Sequence, residues 1–162
     1  MKQISLFSDM PKYIIDTCSF SELKYRYSED VFEGIWKQVL DEIEKGTIMS
    51  CEEVYEELKK QDDDFFERFS RYKYMFIDIN DEIQEELIII LKEHENILDL
   101  KKKKSGADPF VIATAKVYNC TVVTEEKRSN STKIEKIPDV CNAYGIKCIT
   151  FLDMLRELNI KV

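Results

Sequence analysis

The sequence predicts a three-layer α/β/α sandwich around a central parallel sheet of four to five strands. Short apolar or β-branched runs alternate along the chain with longer segments of helical periodicity. Strands that alternate with helices are joined by crossover connections, which make neighbouring strands parallel and cover both faces of the sheet. A length of 162 residues and a hydrophobic content of 44% suit one domain with a sizeable core, and we expect residues 1–162 to form it.

Three candidate strands occupy the first half of the chain, and helical spacing separates them. They are residues 13–16 (YIID), 47–50 (TIMS) and 74–79 (YMFIDI). Apolar residues at i,i+4 spacing predict a helix that starts near Asp30 and stops at Gly46. Ser50 and Glu53 have the spacing of a capping box for the next helix. The residues between that helix and the third strand are predicted to form a polar bridge.

The second half contains two further candidate strands, with helices before, between and after them. Asn80 is predicted to cap a helix whose apolar stripe is Ile83, Leu87 and Leu91. The remaining predicted elements are helices over 107–119, 137–145 and 151–158 and strands over 120–124 and 147–150.

Charge, cysteine content and hydropathy argue against several classes of protein. Lys+Arg 24 against Asp+Glu 32 gives a net charge of −8, which disfavours broad binding to DNA or an anionic membrane but allows a local basic patch or a bound cation. Five cysteines without a CxxC pair and a single histidine disfavour a zinc site.

An odd number of thiols is typical of a reducing cytosol, so we expect a cytoplasmic protein. The first ten residues lack the apolar core of a signal peptide, and the longest fully apolar run, Leu87–Leu91, is too short to span a membrane.

Acidic residues stand at the boundaries of the predicted elements. They are Asp16, Glu53 and Glu57, Asp108, and Glu125 and Glu126. The carboxyl ends of parallel strands meet at one edge of a sheet, where ligands bind near the switch in strand order. Two ionised acids about 4 Å apart repel by about 4 kcal/mol at an effective dielectric constant of about 20, so a cluster of them requires raised pKa values or a cation. Oxygen ligands without histidine or thiolate select Mg²⁺ or Mn²⁺, which can activate water and neutralise charge on a phosphoryl group.

Each of these acids also has a simpler interpretation. Asp16 could cap the following helix through an Asx turn, and Asp108 could be the N-cap before a proline at the first helical position. Glu53 fits the capping box, and Glu125 and Glu126 could be solvated.

Helical spacing separates the two glutamates of the second motif. If Cys51, Val54 and Leu58 face the core, Glu57 falls at the edge of that face and Glu53 points further outward. Glu57 is therefore the preferred ligand, and Glu53 is the second choice.

Four segments of the chain carry a family resemblance. In chain order they read YIIDTCSF, SCEEVYEEL, ADPFVIATAKVYNCTVVTEE and KIPDVCNAYGIKC, within residues 12–155. This ordered set resembles the PIN domain and, more narrowly, the PIN-like bacterial proteins designated DUF4411. The resemblance implies a ribonuclease that hydrolyses RNA with Mg²⁺ or Mn²⁺ and metal-activated water, like the toxins of bacterial type II toxin–antitoxin pairs. It also implies a cognate antitoxin as a partner and the association of two copies of the chain into a homodimer.

The same resemblance implies which residues act. The matched metal ligands are Asp16, Glu57, Asp108 and Glu126. The family's motif of threonine, any residue and aspartate after the fourth strand matches Thr124 and Glu126, and Thr124 is expected to donate a hydrogen bond to one of the acids. A glutamate replaces the usual aspartate here, so Glu125 remains an alternative ligand.

Several other residues are weaker candidates for RNA contact. They are Lys101–Lys104 before Asp108, Tyr25, Arg26 and Tyr27 after the first motif, and Arg128 and Lys133 after Glu126. A solvated loop or ordinary packing is the simpler explanation of each. His94, which follows the predicted apolar stripe, is expected to pack or to end a helix, because water as the nucleophile needs no catalytic histidine.

Two other functions compete with the nuclease. A PIN-like module could bind RNA or protein without cutting, although the complete set of acids argues against a decayed site. A phosphohydrolase would use Asp16 as its nucleophile, and a phospho-receiver would use Asp78. The first needs a second acid where Cys18 stands, and the second needs paired acids after the first strand.

Overall fold

The structure, a computed structural model, describes residues 11–61, 63–97, 106–129 and 133–162. The described residues form a five-stranded parallel sheet and eight helices, the three-layer α/β fold that the sequence predicts. The strands are β1 (Tyr13–Ile15), β2 (Ile48–Cys51), β3 (Phe76–Ile77), β4 (Thr121–Val123) and β5 (Cys148–Ile149). The helices are α1 (Thr17–Tyr25), α2 (Glu33–Glu44), α3 (Glu52–Gln61), α4 (Asp64–Ser70), α5 (Asp81–Glu93), α6 (Asp108–Tyr118), α7 (Ile137–Ala143) and α8 (Phe151–Glu157).

Strand β1 lies at the centre of the sheet, whose order is β3-β2-β1-β4-β5. All neighbouring strands are parallel, and Ile14 is paired with Met49 on one side and with Val122 on the other. The chain winds outward from β1 to β3 and then returns to add β4 on the opposite side of β1. The strand order therefore reverses between β1 and β4, and such a reversal opens a crevice at the carboxyl ends of the two strands.

Helix α6 covers the centre of the sheet. It contacts β1, β2 and β4, and α5 and α7 pack against it. Its apolar sequence explains this position, because Val111, Ile112 and Ala113 have no exposed surface. Asn119 ends the helix in the left-handed conformation, with a φ of 55°, so that the chain turns directly into β4.

An aromatic cluster joins α1, α2 and α4. It is centred on Phe20, Trp36 and Phe69, of which Phe69 is completely buried. The rings of Phe20 and Phe69 meet edge to face with centroids 5.1 Å apart, and the ring of Trp36 lies 6.2 Å from that of Phe69. Edge-to-face rings add to the stabilisation that burial provides. The cluster therefore fixes three helices relative to one another.

Helix α4 differs from the prediction, since the sequence pattern indicates a polar bridge at this point. The carboxylate of Asp63 accepts a hydrogen bond from the backbone N–H of Phe66 at 2.9 Å and starts the helix. Phe69 then anchors it in the aromatic cluster. The polar-bridge prediction is wrong because the helix depends on contacts with α1 and α2, which are distant in sequence.

Ser50 is a strand residue and does not cap a helix. Strand β2 continues to Cys51 and α3 begins at Glu52, so the predicted capping box is wrong. The buried hydroxyl of Ser50 donates to the backbone carbonyl of Ile15 at 2.6 Å and joins β2 to β1. The predicted cap at Asn80 is confirmed, because its side-chain oxygen accepts from the N–H of Ile83 at 2.8 Å.

Three further predictions concern boundaries and particular segments. The helix predicted from Asp30 begins at Glu33, and the third strand is shorter than its apolar run because Lys73–Met75 form a 3₁₀ turn. The lysine run at 101–104 lies outside the described residues.

In the described part of the chain, no helix has the length and apolar character needed to cross a bilayer.

We expect Phe69→Ala to lower the free energy of unfolding by about 3–5 kcal/mol, because it removes a fully buried ring and leaves a cavity. The measurement is a urea or guanidinium titration followed by circular dichroism. Tyr25→Ala is the matched control, since the Tyr25 side chain is 74% exposed, and it should change the free energy of unfolding by less than about 0.5 kcal/mol. Equal effects of the two substitutions would contradict the central position of Phe69.

Candidate functional site

Asp16 and Thr124 meet where the strand order reverses. Asp16 directly follows β1, and Thr124 directly follows β4. The hydroxyl of Thr124 donates to Asp16 Oδ2 at 2.7 Å, as the sequence predicts for this threonine. The backbone N–H of Cys18 donates to Asp16 Oδ1 at 2.6 Å, so Asp16 is also the N-cap of α1. The capping interpretation of Asp16 is therefore correct, and it places the carboxylate in the crevice between the strands.

Four of the predicted acids line one cavity. The cavity has a volume of about 230 Å³, and its acidic lining residues are Asp16, Glu57, Asp108 and Glu126. We call it the acidic cavity. These residues come from the ends of two strands, from the middle of α3 and from the first turn of α6. The fold thus brings together carboxylates that are up to 110 positions apart in the sequence, as the arrangement of strand ends predicts.

Helix α3 directs Glu57 toward the acidic cavity. Val54 and Leu58 on the same helix are buried, so Glu57 stands at the edge of the buried face. Its carboxylate accepts a hydrogen bond from the hydroxyl of Thr17 at the start of α1. Glu53 is not among the described residues that line the cavity. The structure therefore places the preferred glutamate of this helix, and not the alternative, beside Asp16.

The two glutamates after β4 have different surroundings. Glu126 lines the acidic cavity, and its Oε2 accepts a hydrogen bond from the N–H of Ile137 at 3.0 Å. Glu125 instead accepts from the N–H of Phe151 at 2.8 Å, at the start of α8. Each glutamate thus supports a helix start, Glu126 at α7 and Glu125 at α8, but only Glu126 is among the described residues that line the acidic cavity.

Asp108 is the first residue of α6 and is 8% exposed. Ala107 precedes the helix as its cap residue, and Pro109 follows Asp108 within the first turn. The N-cap interpretation of Asp108 is therefore wrong by one position. Because the helix starts with Asp108, its carboxylate lies at the positive end of the helix dipole and in the acidic cavity.

Burial makes Asp16 a weaker acid than usual. The residue is 4% exposed, and the loss of water raises the pKa of its carboxyl group to about 6. The negative charge of Glu126 contributes to this rise, and hydrogen bonds from Cys18 and Thr124 oppose it, so that about 6 is the net result. A buried carboxylate with other acids nearby is a site that a cation would stabilise.

The donor chemistry of the acidic cavity fits Mg²⁺ or Mn²⁺. Its possible ligands are carboxylate and hydroxyl oxygens. Cys18 is the one sulfur-containing residue in the described lining, and burial raises the pKa of its thiol so that it is not a thiolate ligand; no histidine is among the described lining residues. No three acidic, histidine or cysteine side chains of the described residues converge closely enough to hold a metal ion as they stand. Asp16, Glu57 and Glu126 instead accept hydrogen bonds from protein donors. The acidic cavity therefore matches a divalent cation in the type of its ligand atoms and in the grouping of its carboxylates around one cavity.

Three small residues of α1 also line the acidic cavity, and the sequence motifs did not single them out as site residues. They are Thr17, Cys18 and Ser21. Cys18 Sγ lies 3.4 Å from Thr124 Oγ1 and accepts a hydrogen bond from the N–H of Glu125 at 3.1 Å. The sequence contains a pattern that indicates these residues, because a helix that starts directly after Asp16 presents its first turns to the same crevice.

The other candidate residues lie outside the described lining of the acidic cavity. His94 follows α5, where its Nδ1 is 3.0 Å from Glu135 Oε1 and its ring packs against Tyr144. The predicted helix-end and packing role of His94 is confirmed. Tyr27 packs against other aromatic rings, and Asp78 is exposed after β3.

Fold and site together define a class of protein: a parallel α/β domain with a carboxylate-lined crevice at the switch in strand order. The family model described as "Domain of unknown function (DUF4411)" matches residues 13–162. The chain therefore belongs to the DUF4411 family, and this part of the predicted resemblance is confirmed. No curated protein matches the chain.

The raised pKa of Asp16 makes stability depend on pH in a defined direction. Between pH 3.8 and about 6 the folded protein retains a proton on Asp16 that the unfolded chain has lost, so this residue's contribution to stability falls as pH rises through that window. We expect Asp16→Asn, which cannot ionise, to remove this contribution and to be more stable than the wild type at pH 7 in EDTA. Urea titrations from pH 4 to 7 measure the difference, with the exposed Asp41→Asn as control. A constant difference between wild type and Asp16→Asn across this range would contradict the assignment.

Proposed function

We propose that the protein is a metal-dependent endoribonuclease. The observation that carries the proposal is the acidic cavity, in which Asp16, Glu57, Asp108 and Glu126 share one crevice at the carboxyl edge of the sheet. The resemblance to PIN domains, whose acids match these positions, supports RNA as the substrate. Metal-dependent hydrolysis suits a site that has clustered carboxylates and lacks a histidine among its described residues.

Each residue of the site has a distinct proposed role. Asp16, Glu57 and Asp108 would hold Mg²⁺ or Mn²⁺, which when bound supplies an activated water and neutralises charge on the phosphoryl group. Thr124 fixes the rotamer of Asp16 through the 2.7 Å hydrogen bond. Glu126, which lines the same cavity, would help to orient the water.

The surroundings of Asp16 favour water as the nucleophile over the carboxylate itself. Asp16 is 4% exposed, and both of its oxygens already accept hydrogen bonds, from Cys18 and Thr124. A carboxylate in this state is poorly placed to attack a phosphorus atom. Phosphoryl transfer to Asp16 is therefore the weaker alternative, and labelling with acetyl phosphate would reveal it.

By the same resemblance we propose that the protein is the toxin of a type II toxin–antitoxin pair, acting as a homodimer. The net charge of −8 and the acidic cavity would favour an antitoxin that presents a basic segment. An arginine of that segment would compete with the metal for the carboxylates, since guanidinium pairs well with carboxylate oxygens.

We expect the purified protein to cleave a mixed RNA pool with Mg²⁺ or Mn²⁺ and to lose this activity in EDTA. Asp16→Asn and Glu57→Gln should lower the cleavage rate by at least about 100-fold, because the metal supplies several kcal/mol of charge stabilisation. Gel analysis of end-labelled RNA measures the rates.

Asp78→Asn and Glu53→Gln are matched controls for these two variants. Asp78 follows a strand at the same sheet edge, and Glu53 lies one helical turn from Glu57, yet neither is among the described lining residues. Both should keep the wild-type rate within about twofold. Wild-type activity in Asp16→Asn would refute the site, and folded wild-type protein that cleaves with neither metal would refute the nuclease.

Expression of the wild-type protein in a bacterial host without the antitoxin should arrest growth, because cellular RNA would be cut. Asp16→Ala should relieve the arrest at equal expression, as measured by colony counts and immunoblotting. An equally toxic Asp16→Ala protein would show that the harm does not come from the acidic cavity.

A further inference from the structure

A second cavity adjoins the acidic cavity. It has a volume of about 430 Å³, and Glu126 lines both cavities; Thr124, whose hydroxyl donates to Asp16, also lines the second cavity. Its other walls come from the segment after Glu126, from α7, from β5 and from the start of α8. We call it the flanking cavity. Because Glu126 lines both cavities, a ligand in the flanking cavity lies next to the acidic cavity.

The flanking cavity carries two exposed cations. Lys127 and Arg128 line it and directly follow Glu126 in the chain. Among the described residues, no carboxylate lies within ion-pair distance of Lys127. Arg128 Nε lies 3.6 Å from Asp139, yet its side chain stays 67% exposed. Glu126 and Asp153 also line the flanking cavity, so Lys127 and Arg128 offset its two carboxylates in a chain with a net charge of −8.

The remaining lining of the flanking cavity suits a nucleobase. Pro138, Ile146 and Ile149 provide half-buried apolar surface, and Asn142 contributes an amide that can donate to and accept from a base edge. A volume of about 430 Å³ lies within the range of small-ligand sites. Apolar contact, an amide and a nearby cation together match the base and phosphate of one nucleotide.

We propose that the flanking cavity binds the RNA nucleotide next to the scissile phosphate. The base lies against Ile146 and Ile149, the neighbouring phosphate contacts Lys127, and Asn142 contributes to base preference. This inference rests on the proposed nuclease function, because that function supplies the substrate and the direction from which it reaches the acids.

Blocking the flanking cavity tests this inference directly. Asn142→Trp adds a large side chain to an exposed position of α7 that lines the cavity, whereas Ala143→Trp adds it at the adjacent exposed position, which is not among the described lining residues. The probe is a fluorescein-labelled 12-mer RNA in EDTA, and the readout is fluorescence anisotropy. We expect Asn142→Trp to weaken binding by at least tenfold and Ala143→Trp to change it by less than twofold. Equal affinities of the two folded variants, checked by circular dichroism, would overturn the proposal.

The phosphate contact of Lys127 has a separate signature in salt dependence. Lys127→Gln should weaken binding by roughly two- to fivefold and lower the slope of log K against log salt concentration by about 0.7, the value for one phosphate of a single strand. Lys12→Gln is the matched control, because Lys12 is exposed before β1, at the opposite edge of the sheet. An unchanged slope in Lys127→Gln would refute the phosphate contact.

Failure of this inference differs from failure of the nuclease, because binding in EDTA requires neither metal nor cleavage. A wild type that cleaves RNA while Asn142→Trp binds normally would refute the flanking cavity as a subsite and leave the nuclease in place. A wild type that does not cleave, but whose binding depends on Asn142 and Lys127, would refute the nuclease and leave an RNA-binding site.

Discussion

The hydrogen bond from Thr124 to Asp16 is the interaction on which the rest of the site depends. It joins the residues that follow β1 and β4, the two strands between which the winding of the sheet reverses. Burial of Asp16 costs free energy, because water no longer solvates its charge. The hydroxyl of Thr124 and the N–H of Cys18 offset part of that cost and hold the carboxylate in one orientation. The arrangement fixes the buried carboxylate at the point of the crevice where Glu57, Asp108 and Glu126 also line the acidic cavity.

The sequence predicts those parts of the structure that local patterns determine. The apolar runs identify the five strands, the order of strands and helices identifies a parallel sheet, and helical spacing separates Glu57 from Glu53. Helix α4 and the role of Ser50 could not be predicted in this way. Phe69 is buried by α1 and α2, and Ser50 donates to a carbonyl on β1, so both depend on contacts between segments that are distant in sequence.

The two cavities differ in their charged residues. The charged side chains of the acidic cavity are all carboxylates, whereas the flanking cavity adds Lys127 and Arg128 to its carboxylates. The proposed action on RNA would require such cations beside the carboxylates, because the overall charge of the protein repels a polyanion at long range. Glu126 lies in the wall between the two regions, which explains how one short segment after β4 contributes residues to both.

The long separation in sequence between Asp16 and Thr124 has a consequence for biosynthesis. Asp16 emerges from the ribosome before Thr124 and Glu126, which follow it by more than a hundred positions. Contacts of such high contact order close only after the intervening chain has been made and has folded. The nascent protein therefore has no assembled acidic cavity until β4 and Glu126 have been translated. The proposed ribonuclease would not act on nearby RNA, its own message included, before that point.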